Sequence, residues 1–153
     1  MDRMRESVFA VLGDLTGYSF LDLFAGSGII GLEAASRGAF PIVCVERDRS
    51  KFPILLKNIA IAEEHIECKA VPVELFLARN KKAFDYVFCD PPFPYAFREQ
   101  ILRELALGSS LAQGGQALIH FPREQKLPYK LLSLETMDER DFGRSIVRFY
   151  RKN

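Results

Sequence analysis

Apolar residues along this chain recur with two alternating periods. In residues 2–14, Val8, Phe9, Val11 and Leu12, then Leu15, fall on one helical face behind a polar start of Arg3, Arg5 and Glu6; Gly13 or Gly17 is the stop signal. Phe20-Leu21-Asp22-Leu23-Phe24 reads as a short, mostly apolar strand. After Gly26-Ser27-Gly28-Ile29-Ile30-Gly31 comes a helix over 32–37, closed by Gly38. Residues 41–46 form a second strand. The next helix ends at Ile61 and starts between Asp48 and Pro53, because proline fits only a first turn. A weak third strand over 66–71, a short helix over 73–79 and an apolar, β-rich fourth strand over 84–89 follow. Residues 96–107 return to helical spacing and stop at Gly108. Gly114-Gly115 reads as a turn before a strand over 116–121. Two last strands, 131–137 and 145–151, flank a turn at Asp141-Phe142-Gly143.

Strands alternating with helices imply an α/β fold with a mostly parallel sheet, right-handed crossovers and helices on both faces. The closing strand–turn–strand breaks that rhythm and implies a C-terminal antiparallel hairpin. Seven strands are expected in all, in one domain spanning 1–153. Composition changes this picture little. With 48% apolar and 27% charged residues in 153, the chain suits one soluble domain with a sizeable core. No signal-peptide pattern and no membrane-length apolar run are visible. Cys44, Cys68 and Cys89 are far apart in sequence and lack zinc-ligand spacing, so reduced core cysteines and a cytoplasmic location are expected. The net charge of +1 argues neither for nor against a nucleic-acid partner. A monomer is the default for a domain of this size.

Candidate chemistry sits where strands end. Gly26-x-Gly28-x-x-Gly31 lies between a strand and a helix, the place where open α/β sheets bind ligands. Glycines there permit a tight turn and close approach of a ligand to the backbone. Glu46 ends the second strand, where a carboxylate can accept hydrogen bonds from both ribose hydroxyls. Asp22, inside the first strand, is a second acidic candidate, near a cofactor's far end or bracing the glycine turn. This outline suits a nucleoside-type cofactor, either a nicotinamide dinucleotide or S-adenosylmethionine.

The fourth strand separates the two. It runs into Asp90-Pro91-Pro92-Phe93, where each proline pushes the residue before it out of the helical region. A stiff loop results, offering a carboxylate, free carbonyls and a flat ring. These groups suit a planar base carrying an exocyclic NH2. Hydride transfer would instead call for a positioned proton donor. Neither histidine is well placed for that: His65 opens the third strand, and His120, closing the fifth, could face the cleft but reads more readily as a surface or core histidine. Cytosine-C5 methylation would need a cysteine nucleophile, and Cys89 is expected to point into the sheet.

Leu23-Phe24-Ala25-Gly26-Ser27-Gly28-Ile29-Ile30-Gly31, Val45-Glu46-Arg47-Asp48 and Asp90-Pro91-Pro92-Phe93 together resemble a bacterial ribosomal RNA methyltransferase family. Residues 1–9 resemble that family's helix before the core, and residues 143–150 its ending. Members methylate a guanine N2 amine of 16S ribosomal RNA with S-adenosylmethionine. The resemblance implies a Rossmann-like class I methyltransferase domain with no metal, acting on 16S RNA or the assembling 30S subunit. It implies a catalytic set of Asp90, Pro91, Pro92 and Phe93. The cofactor set would be Asp22, Phe24, Ala25, Gly26, Ser27, Gly28, Glu46, Arg47, Val73 and Asp90. Arg3, Arg5, Tyr95 and Arg98 are candidate RNA contacts, through phosphate or stacking.

Two departures stand out. Members usually carry a basic segment before the first helix, so part of the RNA-binding surface is expected to be lacking here. Where members have a small acidic or amide residue followed by Ala to read adenine, this chain has Pro72-Val73. That leaves the Val73 backbone N–H for a ring nitrogen. An amino-methyltransferase acting on DNA adenine N6 or another RNA base remains the alternative within enzymes. A catalytically inactive cofactor- or RNA-binding protein is the alternative outside them.

Overall fold

The computed structural model describes residues 2–153; Met1, which opens the stretch resembling the family's first helix, lies outside the described residues. The helices are α1 (Asp2–Leu12), α2 (Ile29–Ser36), α3 (Phe52–Ile59), α4 (Val73–Arg79) and α5 (Arg98–Leu107). The strands are β1 (Phe20–Leu23), β2 (Ile42–Val45), β3 (Ile66–Lys69), β4 (Phe84–Cys89), β5 (Leu111–Pro122), β6 (Lys130–Leu131), β7 (Leu134–Asp141) and β8 (Ser145–Lys152). All lie in one sheet of order β3-β2-β1-β4-β5-β8-β7-β6. Strands β1 to β5 pair in parallel, whereas β8, β7 and β6 are antiparallel to their neighbours. The order reverses at β1, which lies between β2 and β4, so a crevice opens at the carboxyl ends of these three strands.

Alternation along the strands builds two cores. Phe20, Ile42, Cys44, Phe88, Leu118, Val147 and Phe149 face one way and pack with Met4, Val8 and Phe9 of α1 and Ile30 and Ala34 of α2. Leu21, Leu23, Val43, Val45, Val87 and Ile119 face the other way, against Val73, Phe76 and Leu77 of α4 and Ile101, Leu102 and Leu105 of α5. Parallel strands buried on both faces explain why β1, β2 and most of β4 read as continuous apolar runs. The hairpin side is held by Arg148, buried with its guanidinium 4.1 Å from the Tyr129 ring centroid. The same side chain donates to Glu139 at 2.8 Å and to the Leu127 carbonyl at 2.8 Å.

Several expected boundaries move. There are eight strands rather than seven, because β6 is two residues long, too short to carry a period. Gly114-Gly115 is not a turn; it lies inside β5, where the β4–β5 register shifts. β7 begins at Leu134 and reaches Asp141, later than expected, since its outward positions are charged and mask the alternation. Helix α2 starts at Ile29, three residues early, because Gly28 caps it with a left-handed φ of 80°. A Cβ at that position would lie 2.4 Å from Leu55 Cδ1 of α3. Gly28→Ala therefore combines backbone strain with a clash, and should lower stability by about 1–3 kcal/mol in denaturant unfolding.

Candidate active site

A cleft of about 730 Å³ opens at the switch point. Its floor is the chain after β1. Phe24 there takes φ 60°, a strained value for a residue with a side chain, and Gly26 takes φ 57°. Glu46 clamps this turn: its Oε1 accepts from Gly26 N–H at 2.7 Å, and its Oε2 from Asp48 N–H at 2.8 Å. The buried carboxylate thus braces the glycine turn and still faces the cleft with lone pairs to spare. Ala25, Ser27 and the exposed Arg47 line the same wall, and Val73, at the start of α4, lines another.

Asp22 is almost fully buried behind that turn, and among the described residues its Oδ2 has no hydrogen-bond partner. Burial, then the Asp90 and Glu46 carboxylates, push its pKa well above the ordinary value. Three carboxylates in one crevice, one of them without a partner for an oxygen, suit a ligand carrying positive charge.

The loop after β4 forms the opposite lip. Asp90, Pro91, Pro92 and Phe93 all reach the cleft, and the Phe93 ring stands 47% exposed at its mouth. Under them lies Arg98, which corrects the expectation of an RNA contact: its side chain is fully buried and cannot meet a phosphate. The reason lies in the loop, whose carbonyls turn toward this side chain. Arg98 Nη2 donates to the carbonyls of Pro91 at 3.3 Å and Pro92 at 3.2 Å. Its Nη1 donates to the carbonyls of Phe93 at 3.3 Å and Tyr95 at 2.9 Å, and to Gln125 Oε1 at 2.9 Å. Its Nε donates to the His120 carbonyl at 3.1 Å. Burial pulls its pKa down from the usual arginine value, and the neighbouring Cys89 and Asp90 oppose that shift.

Of the other proposed RNA contacts, Arg3 is exposed, 5.7 Å from the Phe142 ring centroid. Arg5 lines the cleft and pairs with Asp2 at 3.3 Å and Glu33 at 3.7 Å. Tyr95 is half-buried; its hydroxyl donates to Glu74 at 2.5 Å, and its ring meets Phe24 edge-on at 5.0 Å. These contacts link the loop after β4 to α4 and to the turn after β1. Cys89 is buried in the core that holds α5; burial and then Asp90 push its pKa far up, so it stays a thiol.

His120 is buried, as a core histidine would be, and it also lines the cleft. Its Nδ1 lies 2.9 Å from Asp90 Oδ1 and its Nε2 lies 2.8 Å from Ser145 Oγ. The sequence reading missed this pairing. Its one available signal was that both residues lie at the carboxyl ends of predicted strands; that these strands are neighbours is a feature of the fold.

The strand order, the acidic crevice at its reversal and the Asp-Pro-Pro-Phe lip define a Rossmann-like class I methyltransferase architecture. The chain belongs to the family described as Conserved hypothetical protein 95, whose model matches residues 1–151. It is 31% identical over 156 residues to Ribosomal RNA small subunit methyltransferase D of Escherichia coli, covering 99% of this chain and 77% of that protein. A solved structure of a conserved hypothetical protein of Streptococcus pyogenes superposes with a TM-score of 0.91 at 30% identity, covering 97% of this chain and 95% of that one. Magnesium protoporphyrin IX methyltransferase of Synechocystis PCC 6803, solved with bound S-adenosylmethionine, shares the fold with a TM-score of 0.76 at 17% identity, covering 99% of this chain and 79% of that one.

Arg98 offers a direct check on the loop. Arg98→Met leaves several buried carbonyls without donors and should cost about 3 kcal/mol in stability. Arg98→Lys keeps the charge but not the fork, and should lose more activity than stability. Thermal unfolding and turnover, measured in parallel, separate the two.

Proposed function

We propose that this chain transfers a methyl group from S-adenosylmethionine to the N2 amine of a guanine in small-subunit ribosomal RNA. The observation that carries the reading is that Asp90 and Pro91 line one lip of a cleft floored by the glycine turn. The cofactor, when bound, supplies an electrophilic methyl group on a cationic sulfur. The cleft fits such a group: Asp22 has an oxygen free for the ammonium of its methionine part, and Glu46 faces the cleft where ribose hydroxyls would lie. Phe24, Ala25, Gly26, Ser27 and Gly28 would line the methionine end. Arg47 and Val73 would flank the adenine, with the Val73 N–H at the helix start free to meet a ring nitrogen.

The guanine amine is a weak nucleophile because its lone pair is delocalised into the ring. Asp90 and the Pro91 carbonyl would each accept one N–H and turn that lone pair toward the methyl group. Arg98 touches the Pro91 carbonyl at 3.3 Å, and a carbonyl's second lone pair leaves room for the amine. Phe93, half exposed, would stack on the base. The base must leave its stack to reach this pocket. Rate enhancement then rests on orientation and on acceptors fixed in advance for charge developing on nitrogen. Arg3 and Arg5 remain proposed RNA contacts, and Tyr95 supports the lip from below. Among the described residues no helix is long and apolar enough to cross a membrane. A monomer working in the cytoplasm, on naked 16S RNA or on an assembling particle, completes the reading.

The test is methyl transfer from labelled cofactor to unmethylated 30S subunits, free 16S RNA and DNA, followed by nucleoside analysis. Label in N2-methylguanosine is expected; label in N6-methyladenine would overturn the base assignment. Asp90→Ala should lower turnover about 10²–10³-fold while cofactor binding, read by calorimetry, weakens less. Asp22→Asn should act with opposite signs. Because burial raises the Asp22 pKa, the folded state holds this proton longer than the unfolded chain does, and stability falls as pH rises between the two values. The amide removes that cost, so the ligand-free protein should melt higher near neutral pH, yet bind S-adenosylmethionine about tenfold more weakly, or about 1.4 kcal/mol.

A further inference from the structure

We propose that His120 is a positioning residue that tunes Asp90 for amine methylation, through a hydrogen-bonded row running Ser145–His120–Asp90. The proposal rests on the methyl-transfer reading above. Three observations carry it. His120 Nδ1 lies 2.9 Å from Asp90 Oδ1, and its Nε2 lies 2.8 Å from Ser145 Oγ, so both ring nitrogens are engaged. The side chain is 3% exposed in relative terms, so water does not compete for either nitrogen. The ring is held further by Phe93, edge-on at 5.4 Å, and the backbone by Arg98 Nε on the His120 carbonyl. One imidazole thus touches the carboxylate and the ring proposed to stack on the base, and the backbone carbonyl of the same residue meets the arginine that shapes the loop.

The chemistry follows from the donors. An ionised Asp90 only accepts, so the Nδ1 of a neutral ring must carry the proton, and Nε2 then accepts from the Ser145 hydroxyl. Oδ1 is thereby occupied, and Oδ2 is left for the target amine. In turnover the amine nitrogen forms the N–C bond, and the C–S bond breaks with its pair staying on sulfur. The one N–H proton released passes to Asp90 Oδ2 and, after product leaves, to water, which reaches the partly exposed carboxylate. The Nδ1–H bond keeps Asp90 aimed, with Oδ2 able to take that proton. Beyond the row itself, Arg98 of α5 meets the His120 carbonyl, and Asp22, Glu46, Glu74, Arg5, Arg47, Asp48 and Lys51 lie on the same cleft.

The test uses the full chain with unmethylated 30S subunits or 16S RNA. His120→Leu removes the donor; turnover should fall about tenfold or more, with the cofactor Kd unchanged. His120→Asn places an amide N–H where Nδ1 was and should recover most of the rate. Ser145→Ala, remote from the substrate, should give a smaller loss. With only two histidines in the chain, His65 and His120, long-range proton–nitrogen NMR should show one ring fixed as the Nδ1–H tautomer, released to a mixture in Asp90→Ala. Wild-type turnover in His120→Leu would overturn the proposal, as would a His120→Asn variant no faster than His120→Leu. If the wild-type chain labels no RNA, the methyl-transfer reading fails and takes the catalytic role with it. A mixed His120 tautomer in the wild type would refute the row whatever the substrate.

Discussion

Two adjacent prolines deprive the loop after β4 of two backbone donors; the carbonyls around them turn inward, and the Tyr95 N–H reaches that of Pro92 alone. Arg98 resolves this. Its guanidinium gathers six oxygens from the loop, from β5 and from Gln125, in a place closed to water. A lysine could not do the same, because only a planar fork presents donors in several fixed directions at once. The position of Asp90 and Phe93 at the cleft depends on that fork. So does the approach of β5 to the loop, since the His120 carbonyl is one of the six acceptors.

The opposite wall is built on electrostatic tension. Asp22, Glu46 and Asp90 converge on one crevice, and Glu46 alone spends both oxygens on backbone N–H groups. Asp22 is left buried with an oxygen that nothing in the protein satisfies among the described residues. Such a group costs stability in the free protein. A cationic ligand would offset that cost, which is how a site can be poorly satisfied alone and well satisfied when occupied. Strain at Phe24, with its positive φ, lies in the same few residues.

Much of this was legible in the chain. The alternation of strands with helices, the glycine turn, Glu46 and the Asp-Pro-Pro-Phe loop are local signals, each set by backbone sterics or by burial on both faces of a sheet. They placed most of the cleft's walls. The extra strand β6 escaped because two residues have no period, and the length of β5 escaped because its glycines look like a turn. Arg98 misled for a different reason. An arginine beside a catalytic loop reads as a phosphate contact unless one knows that the loop's carbonyls face it.

What the sequence by itself determined is therefore the order of elements, the fold class and the residues at the ends of β1, β2 and β4. What only the tertiary structure decided is which of those ends meet. The register that pairs Phe88 with Leu118 and Cys89 with Ile119 brings Asp90 beside His120, 30 residues away in the chain. The antiparallel return of β8 then brings Ser145 to the other side of the same ring. Strand register is a cooperative outcome of side-chain packing across whole sheet faces, and a single strand carries no record of its neighbour's offset.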